Sequence, residues 1–199
     1  MIDQFLRRKK QQLSKGDRSL KQSRDSKILN LCNKINNLDS YYTTSSCSGR
    51  ALILVDSKEK RDDLFIEVWH DLITISDLKK AINKALNDKA KLKELIYFKQ
   101  DPCILHVACK TIQDAQKIHD LAKLTGWKRC GIITAGKRVV VELNATDRLE
   151  FPIINKGNIL VDDNFLYLIV KESNKKLKLS WEKINKLESS LNELFKQIK

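Results

Sequence analysis

Apolar residues recur along this chain with two different periods, and the switches between them divide it into elements. Ile2, Phe5 and Leu6 form one edge of a short basic helix over Ile2 to Gln12, which Gly16-Asp17-Arg18-Ser19 ends. From Asp25 onward, Ile28, Leu29, Cys32, Ile35 and Leu38 fall at helical spacing, so a helix there turns its apolar face to the core. Ala51-Leu52-Ile53-Leu54-Val55 reads as a buried strand. The charged turn Ser57 to Asp63 and the run Leu64 to His70 complete an antiparallel hairpin with it. Period two puts Leu64, Ile66, Val68 and His70 on one face and leaves His70 at a strand end. Ser76 then reads as the N-cap of a helix through Leu78, Ala81, Ile82 and Ala85. Glu94 to Lys99 and Cys103 to Cys109 are the next extended runs, on either side of Asp101-Pro102. Thr111 to Asp114 opens a helix with a capping-box pattern, and Gly126 closes it. Trp127 to Thr134 and Arg138 to Leu143 pair as a hairpin across Ala135-Gly136-Lys137. Two short strands follow, Arg148 to Pro152 and Asn158 to Val161, and Asp163 caps a long helix. Toward its end Leu177, Ile184, Leu187, Leu191, Leu194 and Ile198 follow a heptad-like spacing.

Hairpins alternating with helices predict an α+β fold. The expected architecture is a single domain over residues 1–199, with a mixed, mainly antiparallel sheet flanked by helices. A basic N-terminal helix occupies residues 1–22, and a long basic helical segment occupies 163–199. The preferred placement of that last segment is against the N-terminal helix, which favours a monomer, with dimerisation through it second. The six glycines are scattered and form no Gly-x-Gly-x-x-Gly turn, which excludes the doubly wound nucleotide-binding sheet.

Composition narrows the setting. No apolar run reaches the roughly 18 to 20 residues of a membrane span, and Met1 to Lys10 lacks the apolar core of a signal peptide, so the expected location is the cytoplasm. Five irregularly spaced cysteines read as reduced thiols. Of the formal net charge of +13, residues 1–30 carry +6 and residues 171–199 carry +4. Basic ends around a nearly balanced middle suit a polyanion, because each neutralised phosphate releases counterions.

Candidate chemistry concentrates at Tyr41-Tyr42-Thr43-Thr44-Ser45-Ser46-Cys47-Ser48-Gly49-Arg50, read as a Ser/Thr-rich loop leading into the strand at Ala51. Small polar side chains leave backbone N–H groups accessible, Gly49 permits close approach, and Arg50 offers a planar fork for an anion. Cys103, His106 and Cys109 suggest zinc, but strand alternation puts His106 opposite the two cysteines, so a metal is not expected. Cys32 and His119 read as packing residues. The Gly136-Lys137-Arg138 turn presents two cations on exposed backbone.

The order Thr43, Ser45-Ser46-Cys47, Gly49-Arg50 resembles the signature of the tRNA wybutosine-synthesizing protein 3 family. Further strings agree in order: Trp69-His70, Leu105-His106-Val107-x-Cys109, Asp114-Ala115-Gln116, Gly136-Lys137-Arg138 and Leu149-Glu150-x-Pro152. Thr43 departs from the serine expected there but keeps the hydroxyl. The resemblance covers roughly Lys27 to Val170 and implies an S-adenosylmethionine-dependent tRNA methyltransferase. Its substrate would be the tricyclic 4-demethylwyosine-type guanosine at position 37 of tRNA-Phe, methylated at N4 and approached through the anticodon stem-loop.

On that resemblance residues take roles. Transfer to a ring nitrogen releases a proton, so His70 is the candidate base. Cys47 positions, because a ring nitrogen needs no covalent activation, and Ser46 sits beside it. Ser45, Gly49, Arg50 and His106 would hold the cofactor, with Arg50 on a carboxylate. Lys137, Arg138, Arg7, Arg8, Lys9 and Lys10 would contact RNA. The alternatives are a non-catalytic tRNA-binding module and a hydrolase using a Cys47–His70 nucleophile pair.

Overall fold

The computed structural model describes residues 3–15, 25–57 and 62–196. In chain order the elements are α1 (Gln4–Leu13), α2 (Ser26–Asn36), β1 (Tyr41–Cys47), β2 (Arg50–Val55), β3 (Phe65–Trp69), α3 (Ile75–Asn87), β4 (Leu95–Asp101), β5 (Ile104–Cys109), α4 (Ile112–Leu124), β6 (Arg129–Ala135), β7 (Val139–Asn144), β8 (Leu149–Asn155), β9 (Asn158–Ile159) and α5 (Asp163–Lys196). They fall into two compact units. The first comprises Met1–Ser48, Cys103–Thr146 and Ser180–Lys199; the second comprises Gly49–Pro102 and Asp147–Leu179.

The first unit is a four-stranded sheet in the order β1-β5-β7-β6, every pair antiparallel. Leu105, Val107 and Cys109 on β5 and Val141 and Leu143 on β7 enter its core, because alternate residues of a strand face one way. Ile28, Leu31, Cys32 and Ile35 of α2 cover that face, as do Ala115, Ile118 and Ala122 of α4. Thr111 caps α4 through a full capping box with Asp114, and Gly126, at φ +96°, takes the left-handed turn that ends it. Trp127 is fully buried, and its indole N–H donates to the Lys183 carbonyl at 3.2 Å. Ile184, Leu187 and Leu191 bring the second half of α5 into the same core. Burying a tryptophan is typically worth about 3–5 kcal/mol against alanine, so this anchor weighs heavily in the unit's stability.

The second unit is a five-stranded antiparallel sheet in the order β3-β2-β4-β8-β9. Ala51, Ile53, Val55, Ile96 and Phe98 pack against Leu78, Ala81, Ile82 and Ala85 of α3 and against Leu166 and Ile169 of α5. Among the described residues no helix is long and apolar enough to cross a membrane.

The α+β class and the absence of a doubly wound sheet hold, but the one mixed sheet resolves into two wholly antiparallel ones. Glu94 to Lys99 and Cys103 to Cys109 do not pair with each other: β4 lies between β2 and β8, and β5 between β1 and β7. Pro102 is locked at a negative φ, so it cannot take the positive φ that the first central residue of a two-residue hairpin turn needs. The α3 cap is Thr74, whose capping box with Asp77 leaves Ser76 inside the first turn. Asp162, not Asp163, accepts from the Phe165 N–H at the start of α5. The second half of α5 meets α2, where Lys34 pairs with Glu188 at 2.7 Å, whereas α1 packs Phe5 on Tyr42 of β1. Gly16 to Ser19, the Leu194 side chain and Ile198 lie outside the described residues.

Candidate active site

The hydroxyl-rich stretch is not a loop. Tyr41 to Cys47 pair along β5, with an irregularity between Thr43 and Ser45 where one residue is extra. The bulge sorts its side chains. Thr43 faces α2, where its N–H and hydroxyl both meet Asn36 Oδ1, at 2.7 and 3.2 Å. A threonine hydroxyl serves there as well as a serine. Ser45 is exposed, and Ser46 and Cys47 are half-buried.

Ser48 is fully buried and donates both its N–H and its hydroxyl to Asp25 Oδ2, at 3.0 and 2.6 Å. Asp25 is the N-cap residue of α2, yet its carboxylate serves Ser48 and makes no side-chain bond to that helix's backbone. A carboxylate oxygen of Asp25 also lies within 4.8 Å of the Cys47 sulfur. Ser48 therefore ties the end of the signature to α2.

Gly49 has φ +103°, a conformation that side-chain-bearing residues rarely adopt. Arg50 opens β2. Its Nε lies 3.2 Å from Asp101 Oδ2, and its guanidinium carbon lies 5.7 Å from the Phe65 ring centre. Arg148 Nε approaches the other Asp101 oxygen at 3.9 Å, so two guanidinium groups share one carboxylate and keep a net positive charge. On the opposite, core-facing side of β4 Gln100 is fully buried; its amide donates to the Asp101 carbonyl at 2.8 Å, while its Oε1 finds no partner among the described residues.

His70 lies just beyond the last residue of β3 and is half-buried, as its strand-end reading expects. His106 faces away from Cys103 and Cys109, which are buried in the core, and its Nε2 lies 2.9 Å from Glu142 Oε2 on β7. His119 Nδ1 lies 2.9 Å from Asp120 on the surface of α4.

The structure brings the two groups of predicted RNA contacts together. Arg8 of α1 donates to the Lys137 carbonyl at 2.6 Å, in the turn between β6 and β7. Burial pushes the Tyr42 hydroxyl above its ordinary pKa, while the positive charges of Arg138 and Arg8 pull it down. Lys9 donates to the Leu38 carbonyl, and Arg7, Lys10, Lys137 and Arg138 are exposed.

The family model described as Methyltransferase TYW3 matches residues 5–193. The chain belongs to this family. It is 36% identical over 194 residues to the Thermococcus sibiricus protein named tRNA(Phe) 7-((3-amino-3-carboxypropyl)-4-demethylwyosine(37)-N(4))-methyltransferase, covering 96% of this chain and 95% of that one. It is 32% identical to the tRNA wybutosine-synthesizing protein 3 homolog of Danio rerio over 95% of this chain and 75% of that one. The solved structure of PH1069 protein from Pyrococcus horikoshii superposes with a TM-score of 0.82 at 31% identity, over 94% of this chain and 95% of that one. Sequence reasoning missed Glu142, Asp101, Arg148, Gln100 and Asp25. The register of β5 with β7 exposes the first, because it sets Glu142 opposite His106.

Proposed function

We propose that this chain transfers a methyl group from S-adenosylmethionine to N4 of a 4-demethylwyosine-type guanosine at position 37 of tRNA(Phe). The observation that carries the reading is the full-length similarity to archaeal relatives bearing that name, together with an accessible signature around Arg50. The residues fit an α-amino acid. The surplus guanidinium charge of Arg50 and Arg148 suits a carboxylate, Asp101 suits an ammonium group, and Gly49 lets the backbone come close. Both the donor's methionine part and the substrate's aminocarboxypropyl arm are α-amino acids. Bound at its site, the donor supplies an electrophilic sulfonium methyl.

The protein's share is alignment and proton removal; positioning alone can contribute on the order of 7–11 kcal/mol. Cys47 and Ser46 serve in positioning, and an imidazole of the signature, His70 or His106, takes the proton. Arg7, Arg8, Lys9, Lys10, Lys137 and Arg138 hold the anticodon stem-loop through its phosphates. The chain acts in the cytoplasm as a monomer.

Labelled S-adenosylmethionine incubated with tRNA from cells lacking this protein, followed by mass analysis of nucleoside 37, tests the reading. One added methyl on a tricyclic guanosine is expected. No label on a tRNA that the folded protein binds overturns it in favour of a binding module.

A further inference from the structure

Ser45 of β1, His106 of β5, Glu142 of β7 and Gly131 of β6 stand in one row across the first unit's sheet, each the register partner of the next. Their neighbours Leu105, Val107, Val141 and Leu143 enter the core, so the row occupies the opposite face. That face is open here. Ser45 is exposed, the His106 and Glu142 side chains are 27% and 33% accessible, and a Cβ added at Gly131 would meet nothing within 4 Å.

The row joins residues that sequence order keeps far apart. Ser45 and His106 come from two separate signature strings, and Glu142 comes from none. The cationic end of the sheet lies beside it: Glu142 is four residues along β7 from Arg138, about 13 Å at 3.3 Å per residue. A phosphate held by Arg138 and Arg8 therefore belongs to a chain whose bases can reach the row.

Glu142 fixes the chemistry of the ring. An ionised carboxylate only accepts hydrogen bonds, so the 2.9 Å contact places the imidazole hydrogen on Nε2 and leaves the Nδ1 lone pair of the neutral ring as an acceptor. The carboxylate also offsets the charge that the ring acquires when it takes a proton. This is the arrangement by which a carboxylate orients a histidine base.

We propose that His106 is the proton acceptor of the methyl transfer and Glu142 its positioning residue, with the row from Ser45 to Gly131 as the floor on which the planar tricycle rests. The assignment depends on the methyltransferase reading above and gives His106 the role that sequence reasoning gives His70. The N–CH3 bond forms as the ring nitrogen's proton passes to Nδ1, and the methyl's bond to its sulfonium sulfur breaks with both electrons left on the sulfur.

The test is single-turnover methyl transfer by the full chain to tRNA lacking the methyl, comparing wild type with His106→Ala, Glu142→Ala, Glu142→Asp and His70→Ala. His106→Ala is expected to slow transfer about a hundredfold or more, with tRNA affinity nearly unchanged and part of the rate restored by added imidazole. Glu142→Ala is expected to slow transfer about tenfold and Glu142→Asp to recover most of it. In 15N spectra of the wild-type protein without tRNA, His106 should show the Nε2-protonated tautomer, and Glu142→Ala should lose that preference. The tautomer readout also serves if His106→Ala does not fold. A His106→Ala variant that transfers methyl at nearly the wild-type rate overturns the assignment, as does imidazole rescue confined to His70→Ala, or a wild-type His106 in the other tautomer. Wild-type protein that transfers no methyl to a tRNA it binds instead overturns the parent reading, and this one with it.

Discussion

The Arg8 guanidinium donates to the main-chain oxygen of Lys137 at 2.6 Å, joining residues that are 129 positions apart. This bond holds the β6–β7 turn against α1, so the cations of both segments act as one patch. Arg138→Ala should weaken tRNA binding without changing the fold. It should also lower the slope of log affinity against log salt by about 0.7–0.9, the share of one phosphate contact. Arg8→Ala should lower it by more, because the turn loses its tether as well. Filter binding across a salt series reads both, and slopes equal to wild type would remove these residues from the RNA interface.

Arg50 is the guanidinium with the largest predicted effect on small-molecule affinity. Losing a charge-assisted hydrogen bond costs about 1.5–3 kcal/mol, so Arg50→Ala should raise the dissociation constant for the amino-acid ligand by roughly ten- to a hundredfold. Lysine keeps the charge but not the fork, and Arg50→Lys should recover only part. Calorimetry with S-adenosylmethionine and with substrate tRNA decides which carboxylate Arg50 holds, because only one of the two affinities should fall.

Which parts of this arrangement the sequence discloses follows from what periodicity records. Alternation in Leu105 to Cys109 announces β5 and separates His106 from the two cysteines, and the structure keeps that separation. Tyr41 to Cys47 has no such alternation, because small hydroxyl residues stand on both faces and Thr43 satisfies its polar groups through Asn36; only pairing with β5 makes it a strand. Periodicity fixes the face of a side chain and not the neighbour of a strand. The two sheets, the separation of β4 from β5, and Glu142 opposite His106 were therefore out of reach. The capping boxes are local, and Thr111 with Asp114 was legible; the actual α3 cap, Thr74 with Asp77, has the same Thr-x-x-Asp spacing two residues before Ser76.

Ser48→Ala should act on stability. The hydroxyl bond to Asp25 Oδ2 disappears from a buried site while the backbone N–H bond stays, and the carboxylate is left with one donor fewer, a loss of about 1–3 kcal/mol. For a chain of this size that is a fall in melting temperature of roughly 2–4 °C per kcal/mol. Thermal melts read it, and an unchanged midpoint would show that water replaces the serine at no cost.

Asp77 gives a pH signature. The Thr74 hydroxyl, and then the Thr74 N–H, donate to its carboxylate and hold it below the ordinary value of 3.8. A folded-state pKa below the unfolded one means that the stabilisation is present above the unfolded value and fades as pH falls through the folded one. Asp77→Asn should therefore lower stability at neutral pH and make little difference in strong acid. Parallel melting curves for the two proteins across the acid range would check this, and a constant gap between them would contradict it.

The thiols should separate by burial. Cys109 is 3% exposed, and desolvation pushes its pKa up to about 12, so at pH 8 only about one molecule in ten thousand carries the thiolate. Iodoacetamide should leave Cys109 of the native protein untouched, with Cys32 and Cys103 alongside it in the core, and should reach the half-buried Cys47 and Cys130 first. If Cys47 serves by packing, Cys47→Ser keeps most of the methyl transfer, and its alkylation blocks activity by bulk alone. A Cys47→Ser protein that folds, binds tRNA and transfers nothing would make the sulfur itself part of the reaction.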